Sequence, residues 1–387
     1  MSRMLEQWRA EFPIFERRVF LNSCSYGALA RPVRAALERY LDQRDEFGSR
    51  WDLWVTELEQ VRGLLAQLLA CDADQVAVLT SVSECVNGLV SALSYDGGRD
   101  TIVTTDFDFP TTSQIFLAQQ QRGARILRAA ADTAGTALPL ERFDALIDER
   151  TLLVSVPYIC YRNGVRTDPR PIVELAHARG AMVMIDAYQA VGSQPINAGE
   201  LGADFLVGGC LKYLLGTAGI GFMYVNDATA AALQPTATGW FAQADINAMD
   251  IYHHAPHPSA RRFESGTPNV AGLYGVRAGL ELVLDVGPAA IAARIEHVTG
   301  RLIAAARARN WLVVTPAERR GPLVAIACHD APALVKRLDA AGIVVSDRDN
   351  NLRVSPHFYN NDEDIDRLVA ALDDNADLIT NAADGSA

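Results

Sequence analysis

The stretch that decides the fold is Phe205-Leu206-Val207-Gly208-Gly209-Cys210-Leu211-Lys212-Tyr213-Leu214-Leu215-Gly216, read together with Met182-Val183-Met184-Ile185-Asp186-Ala187-Tyr188-Gln189 upstream. Each begins as a short apolar run with the look of a buried strand. Each then delivers one charged residue near its C-terminal end: Asp186 from the first, Lys212 from the second, about two dozen residues apart. Strand ends of this kind are where open α/β sheets bind ligands. A lysine and a carboxylate converging there suit pyridoxal phosphate (PLP). The lysine forms the Schiff base, and the carboxylate keeps the pyridine nitrogen protonated so that the ring acts as an electron sink. The same two residues also suit a surface lysine after a strand and an aspartate at a helix start. The rest of the chain has to choose.

Outward from this pair, short strands alternate with helices. Strands are expected at Gln75–Thr80, Thr101–Thr105, Ala124–Leu127, Leu152–Val156, Met182–Ile185 and Phe205–Val207. Helices are expected at Val33–Arg44, Trp51–Leu69, Thr112–Arg122, Leu140–Asp148 and Pro171–Arg179. Near-continuous apolar strands in a βαβα order predict a mostly parallel sheet covered on both faces. Gly219–Val225 follows the lysine loop so closely that it should be an antiparallel neighbour. Residues 226–270 are irregular and rich in His, Pro and aromatic residues, and a helix follows from Val270 to Asp285. Beyond it the pattern changes to helix 288–309, strands 311–315 and 322–327, helix 331–341, strands 342–346 and 351–355, and helix 362–373.

The expected organisation is therefore an N-terminal arm (1–20) packing with the small domain, a large cofactor-binding domain (21–270), a smaller C-terminal α+β domain (271–374) and a flexible tail (375–387). The large domain should carry a mostly parallel seven-stranded sheet.

Composition narrows the function. The chain has 387 residues, enough for a sizeable core and two domains. Its net charge of −12 argues against nonspecific binding to nucleic acid or anionic membranes. No apolar run approaches the roughly 20 residues of a membrane span. Six scattered cysteines with no C-x-x-C pair suggest neither a zinc site nor a disulfide framework. Together with a charged N-terminus, they lead to the expectation of a cytoplasmic protein with reduced thiols.

Three further features bear on chemistry. Ser81-Val82-Ser83 lies between a strand and a helix start, where free N–H groups and hydroxyls make an anion site, although an ordinary serine N-cap would look the same. Asp108-Phe109-Pro110 offers a flat aromatic face. Arg353, in Asn351-Leu352-Arg353-Val354-Ser355-Pro356, offers a planar fork suited to a carboxylate. No G-x-G-x-x-G stands at a strand-to-helix turn, which removes a dinucleotide oxidoreductase.

The ordered set is Ser81–Ser83, Phe109-Pro110, Asp186, Gln189, Lys212, Gly266-Thr267-Pro268-Asn269 and Arg353. It resembles the fold-type I PLP enzymes of the class V aminotransferase family, which includes cysteine desulfurases, kynureninases and isopenicillin N epimerase-like proteins. The resemblance runs from about residue 20 to about residue 373. It implies that Lys212 is the Schiff-base lysine and Asp186 the partner of the pyridine nitrogen. Gln189 would reach the phenolic oxygen, Val82 and Ser83 would hold the phosphate, and Phe109 would stack on the ring, with Phe107 as the competing candidate. Trp240 and Thr267 would reach the cofactor phosphate of a second subunit, so a homodimer with shared active sites is implied. Arg353 would grip the substrate α-carboxylate. Tyr161 and Arg162 would contact the substrate, with two roles open for Arg162: binding a second acidic group, or a structural one.

The departures matter as much. The segment Ile343–Asn351, where a desulfurase carries its nucleophilic cysteine loop, is short and contains no cysteine. Cys210-Leu211 replaces the desulfurase residues before the lysine. The expectation is a lyase acting on an α-amino acid by C–S or C–C cleavage, without a persulfide. The alternatives are an epimerase or an aminotransferase, or a PLP-fold binding protein that has lost catalysis.

Overall fold

The computed structural model describes residues 7–383. The first six residues of the N-terminal arm and the last four of the tail lie outside the described residues. In chain order the strands are β1 (Val19–Phe20), β2 (Val76–Leu79), β3 (Thr101–Thr105), β4 (Arg125–Ala129), β5 (Thr151–Pro157), β6 (Met182–Asp186), β7 (Phe205–Gly209), β8 (Gly221–Val225), β9 (Val324–Ala327), β10 (Ile343–Val344), β11 (Ser346–Arg348) and β12 (Asn351–Val354).

Seven of them form one sheet in the order β2-β8-β7-β6-β5-β3-β4. The pairs from β4 through to β7 are parallel, and β8 runs antiparallel to both β7 and β2. The two-residue period of a strand sends alternate side chains to opposite faces. Val76 and Val78 accordingly join one buried cluster with Ile185 and Leu206, while Ala77 and Leu79 join the other with Met184, Phe205 and Val207. Both faces are covered, so the strands carry apolar residues at nearly every position.

Helix Val270–Val286 packs against helices Arg31–Phe47 and Trp51–Leu69. It also supports the loop after Lys212. A Cβ at Gly279 would lie 2.6 Å from the carbonyl oxygen of Leu214, a distance at which something must shift. Glycine therefore lets helix and loop touch backbone to backbone.

A second core holds the three-stranded antiparallel sheet β11-β12-β9. The N-terminal segment joins it. β1 pairs in parallel with β10, its Val19 is buried in this core, and Arg9 makes a two-pronged ion pair with the buried Asp364, while Phe12 and Phe358, packed edge-on, belong to the large core. The change of core falls within helix Pro288–Ala308, where Ile291 and Ile295 face the large cluster and Val298 and Leu302 the small one. That is later than the 270/271 boundary expected, because the buried face of helix Val270–Val286 packs into the large core.

Three local expectations are corrected. Residues 311–315 form isolated bridges rather than a strand, since Leu312 donates to the carbonyl of Thr380 and Val314 to that of Ala325, splitting the ladder between two partners. The tail is tied down as far as Ala382: Ile379 is buried and bridges Cys328, Asn381 bridges Trp311, and the Ala382 N–H donates to the Asn310 carbonyl at 2.8 Å. Its two adjacent apolar residues, Leu378 and Ile379, pack on the small core in an otherwise polar segment. The expected strand 342–346 divides at Val345 into β10, which serves β1, and β11, which turns into β12 through Asp349 and Asn350. Both turn residues have left-handed backbone, φ 51° and 57°, as a two-residue hairpin requires. No helix among the described residues is long and apolar enough to cross a membrane.

Candidate active site

The C-terminal ends of the sheet strands open onto a cavity of about 280 Å³. Neighbouring strands β6 and β7 bring the organising pair together there. Asp186 ends β6, and Lys212 stands three residues past the end of β7. The two are close enough that each shifts the other's protonation. Burial pushes the Asp186 carboxyl up; the Tyr188 N–H it accepts at 2.9 Å and the Lys212 charge pull it back. Burial lowers Lys212 to about 8, with Cys24 and Asp186 opposing and Arg353 reinforcing. The Lys212 ammonium lies 4.2 Å from the centre of the Tyr188 ring and 5.9 Å from that of Phe109.

The lysine's own backbone is clamped. Gly27 donates to the carbonyl of Leu211 at 2.8 Å, and a Cβ at Gly27 would meet the Lys212 carbonyl oxygen at 2.3 Å. On the other side the buried His357 donates through Nε2 to the Tyr213 carbonyl at 2.9 Å. That tautomer follows from the Phe358 N–H, which donates to Nδ1 at 2.7 Å.

Helix Val82–Ser91 starts where β2 ends. The Ser81 hydroxyl accepts the Glu84 N–H at 3.2 Å, and Ser81, Val82 and Ser83 all line the cavity. First-turn N–H groups have no intrahelical partner, so the positive end of the helix dipole is available there. Phe109 opens helix Pro110–Ala118. Beside it Asp108 accepts from the N–H and hydroxyl of Thr105, and burial pushes Asp108 up to about 7. Phe107 and Phe109 both line the cavity, but Phe107 is buried in a cluster with Cys160 and Val165, whereas Phe109 is 42% exposed and presents its ring. Tyr161 meets that ring edge-on at 4.9 Å.

Gln189 donates through Nε2 to the Cys24 carbonyl at 3.1 Å, and its Oε1 is buried without a partner. A buried orphan acceptor is costly unless a ligand group meets it. An amine, a carboxylate, a helix N-terminus, an aromatic face and this orphan amide converge on one cavity and match the polar groups of PLP. The residues present fit that cofactor.

The cavity thus brings together Val82, Ser83, Phe109, Tyr161, Asp186, Gln189 and Lys212. Four expected site residues are not in its wall. Arg353 is only 5% exposed. Its Nη1 donates to the Tyr161 carbonyl at 2.8 Å, and its Nη2 to the hydroxyls of Ser346 at 3.0 Å and Ser25 at 3.4 Å. Its Nε is buried without a partner. Ser25 does line the cavity and joins the guanidinium to the wall. Arg162 lies behind Tyr161, donating to the Asp106 carbonyl and pairing with Asp349 at 3.5 Å. Trp240 packs edge-on against Trp51 at 5.3 Å and donates its indole N–H to the Ile246 carbonyl. Thr267 is exposed, on a segment anchored by Glu264, which pairs with the buried Arg62 and accepts the Val78 N–H.

Sequence reasoning did not single out Ser25, Thr112, Ile159 or Tyr188, which also line the cavity. Ser25 carried no signal beyond a small polar turn. Tyr188 stood between two residues that were singled out.

Residues 48–368 match the family described as aminotransferase class-V. An uncharacterized aminotransferase, YcbU, of Bacillus subtilis is 31% identical over 95% of this chain and 97% of its own length. A kynureninase of Deinococcus radiodurans is 31% identical over 76% and 72%. Among solved structures, the apo cysteine desulfurase of Thermococcus onnurineus superposes with a TM-score of 0.86 over 96% of this chain and 98% of its own, at 21% identity. The cystine C–S lyase C-DES, solved with its product cysteine persulfide, does so with a TM-score of 0.86 over 94% and 99%, at 19% identity. A match across most of the chain, on a fold-type I α/β scaffold whose cavity suits PLP, makes this protein a PLP-dependent enzyme of the class V aminotransferase family.

Proposed function

We propose that the protein is a lyase that cleaves a C–S or C–C bond of an α-amino acid without forming a persulfide on its own cysteine. The observation that carries this reading is the hairpin β11–β12. It turns through two residues, Asp349 and Asn350, and neither the turn nor its strands holds a thiol. The cysteines elsewhere do not replace one. Cys24 is buried with Tyr213, Leu323 and Ala325 and does not line the cavity. Cys85, Cys160, Cys210 and Cys328 are buried and Cys71 is half-buried away from the cavity, and burial pushes each of these thiols up, away from the reactive thiolate.

In this reading Lys212 would hold PLP, Asp186 would serve its ring nitrogen, Phe109 its ring, Gln189 its phenolic oxygen, and the Ser81–Ser83 turn its phosphate. PLP, when bound, supplies an electron sink for the electron pair left at the substrate Cα. The chain's residues do the rest. Ser25, whose hydroxyl Arg353 reaches from behind the wall, receives the α-carboxylate, with the guanidinium charge close behind it. Lys212, with its proton affinity lowered to about 8, takes the Cα proton and returns one later. Phe109 and Tyr161 close one side against water. For C–S cleavage the pair at Cα forms the Cα–Cβ double bond as the C–S bond breaks, and the sulfur leaves with the pair of the broken bond and takes up a proton.

Trp240 and Thr267 lie outside the cavity of their own chain, which supports a homodimer in which they face the partner's cofactor. The kynureninase relative supports C–C cleavage, and the C–S lyase neighbour shares the fold.

The deciding experiment incubates the holoenzyme with a panel of amino acids and identifies products by mass spectrometry. A cleaved side chain is the expected outcome. An inverted α-centre with the side chain intact would favour the epimerase, and transfer of the amino group to a keto acid would favour the aminotransferase. Either would overturn the lyase reading.

A further inference from the structure

The wall around Tyr161 holds a charge arrangement that the chemistry above does not use. Arg353 fixes the Tyr161 carbonyl from one side, and Arg162 follows it in the chain. Arg162 is itself fixed, because one arm of its guanidinium donates to the Asp106 carbonyl, the residue before the cavity-lining Phe107. Its other arm has a single carboxylate partner, Asp349 Oδ2, at 3.5 Å, and that side chain is 53% exposed. Asp349 sits on the left-handed tip of the β11–β12 hairpin, next to Arg348, which is exposed and carries no ion pair among the described residues. Burial pushes the Tyr161 hydroxyl up, the charges of Arg162 and Arg348 oppose this and that of Asp349 adds to it. Arg348 and Ser346, two apart on β11, share a face of that strand, and Ser346 meets Arg353. The rim beyond Tyr161 therefore presents two guanidinium groups against one loosely held carboxylate, an excess of positive charge on a chain whose net charge is −12.

A fixed guanidinium paired at long range with an exposed carboxylate gains little from that pair and can exchange it. A better-placed carboxylate gains two charge-assisted hydrogen bonds instead. The placement is also suited to one molecule. Ser25 and Tyr161 line the same cavity, so an amino acid whose α-carboxylate meets Ser25 has in the same wall the residue that precedes Arg162.

We propose that Arg162 and Arg348 form an anion subsite on the cavity rim that takes the side-chain carboxylate of an acidic amino-acid substrate, with Asp349 as the occupant it displaces. This rests on the PLP site and the Ser25 anchor, backed by Arg353, proposed above, and it deepens that reading by naming the substrate class.

The test uses the holoenzyme and the absorbance change of its bound cofactor on titration with glutamate against glutamine and aspartate against asparagine. One acid should bind about five- to tenfold more tightly than its amide. In Arg162→Gln the acid-to-amide ratio should fall to about one, and in Arg162→Lys it should be partly retained. In Asp349→Asn, an exposed change that leaves folding untouched, acid binding should tighten severalfold, because the competing carboxylate is gone. Equal binding of acid and amide by the wild type, or a ratio unchanged in Arg162→Gln and Asp349→Asn, would overturn the proposal. Binding is read without turnover, so the two readings fail separately. Acid preference with no cleaved side chain from any amino acid of the panel above defeats the lyase reading alone, and cleavage with no acid preference defeats the subsite alone.

Discussion

The two ends of the cavity are built differently. At the cofactor end, Ser81–Ser83, Asp186 and Lys212 each stand within a few residues of the C-terminal end of a strand in one seven-stranded sheet. Their places are set by backbone ladders buried on both faces. At the substrate end, Ser25, Tyr161 and Arg353 come from three segments far apart in the chain, held by individual hydrogen bonds from Arg353 to Ser25, Ser346 and the Tyr161 carbonyl. The first arrangement moves only if the sheet does. The second depends on how the small core docks on the large one, so it is where relatives with a shared cofactor can diverge in substrate.

The sharpest way to break this contrast is at the cofactor end. Lys212→Ala should remove the visible absorption of the bound cofactor and lower turnover by at least about 10³-fold, since proton transfer and cofactor attachment are lost together. The sheet should still fold, as judged by an unchanged far-UV spectrum. Retention of the wild-type band would show that another group holds the cofactor.

At the substrate end, Arg353→Lys keeps the charge and removes the fork. Three hydrogen bonds that tie Tyr161, Ser25 and Ser346 to one guanidinium cannot all be made by an ammonium. The expected loss in kcat/KM is about 2–5 kcal/mol, carried mainly by KM, with the cofactor spectrum unchanged. Equal losses in KM and in cofactor occupancy would mean that the two ends are not separable.

The same contrast explains what the sequence disclosed. Asp186 and Lys212 were legible because apolar runs announce buried strands and a strand end fixes the residue after it. The antiparallel β8 was legible because the connection from the lysine loop is too short for a crossover. The tethering of Ile379 was not legible, because two apolar residues in a polar tail say nothing of the groove that receives them. Ser25 was equally hidden. A small polar turn is ordinary until a guanidinium from 328 residues away reaches its hydroxyl. The withdrawal of Arg353 behind that serine, and the pairing of Arg162 with a hairpin tip, are properties of docking rather than of local pattern.

His357 lies on the joint between the two ends, and pH probes it. It is fully buried between Tyr213 and Tyr359, with ring centres at 5.5 Å and 5.2 Å. Burial lowers it from 6.5 to about 4, although its bond to the Tyr213 carbonyl opposes this. As pH falls through 6.5 the unfolded chain takes up a proton that the folded chain refuses until about 4. This group's contribution to stability is therefore present above pH 6.5 and declines by up to about 3 kcal/mol towards pH 4. Urea denaturation at pH 7 and pH 4.5 should show a steeper acid loss in the wild type than in His357→Gln. Parallel losses would remove His357 as the acid-sensitive element of the joint.

The mildest effect returns to Lys212. A lysine at a solvated surface would stay protonated until pH approaches 10.5, so its amine would remain a minor species throughout the neutral range. Lys212 is lowered to about 8 chiefly by burial, against the pull of Cys24 and Asp186 and with help from Arg353. Its free-amine fraction should therefore rise about tenfold between pH 7 and pH 9 and then level off. The rate at which apoprotein captures added PLP, followed by the growth of the cofactor band, should trace that curve with a midpoint near 8. Arg353 adds a cross-check between the two ends of the cavity. Its charge favours the neutral amine, so Arg353→Gln should move the midpoint upward, while Arg353→Lys should leave it nearly in place. A rate that keeps climbing past pH 10 would mean that the cavity does not desolvate its lysine, and that the cofactor end is more open than its buried strands imply.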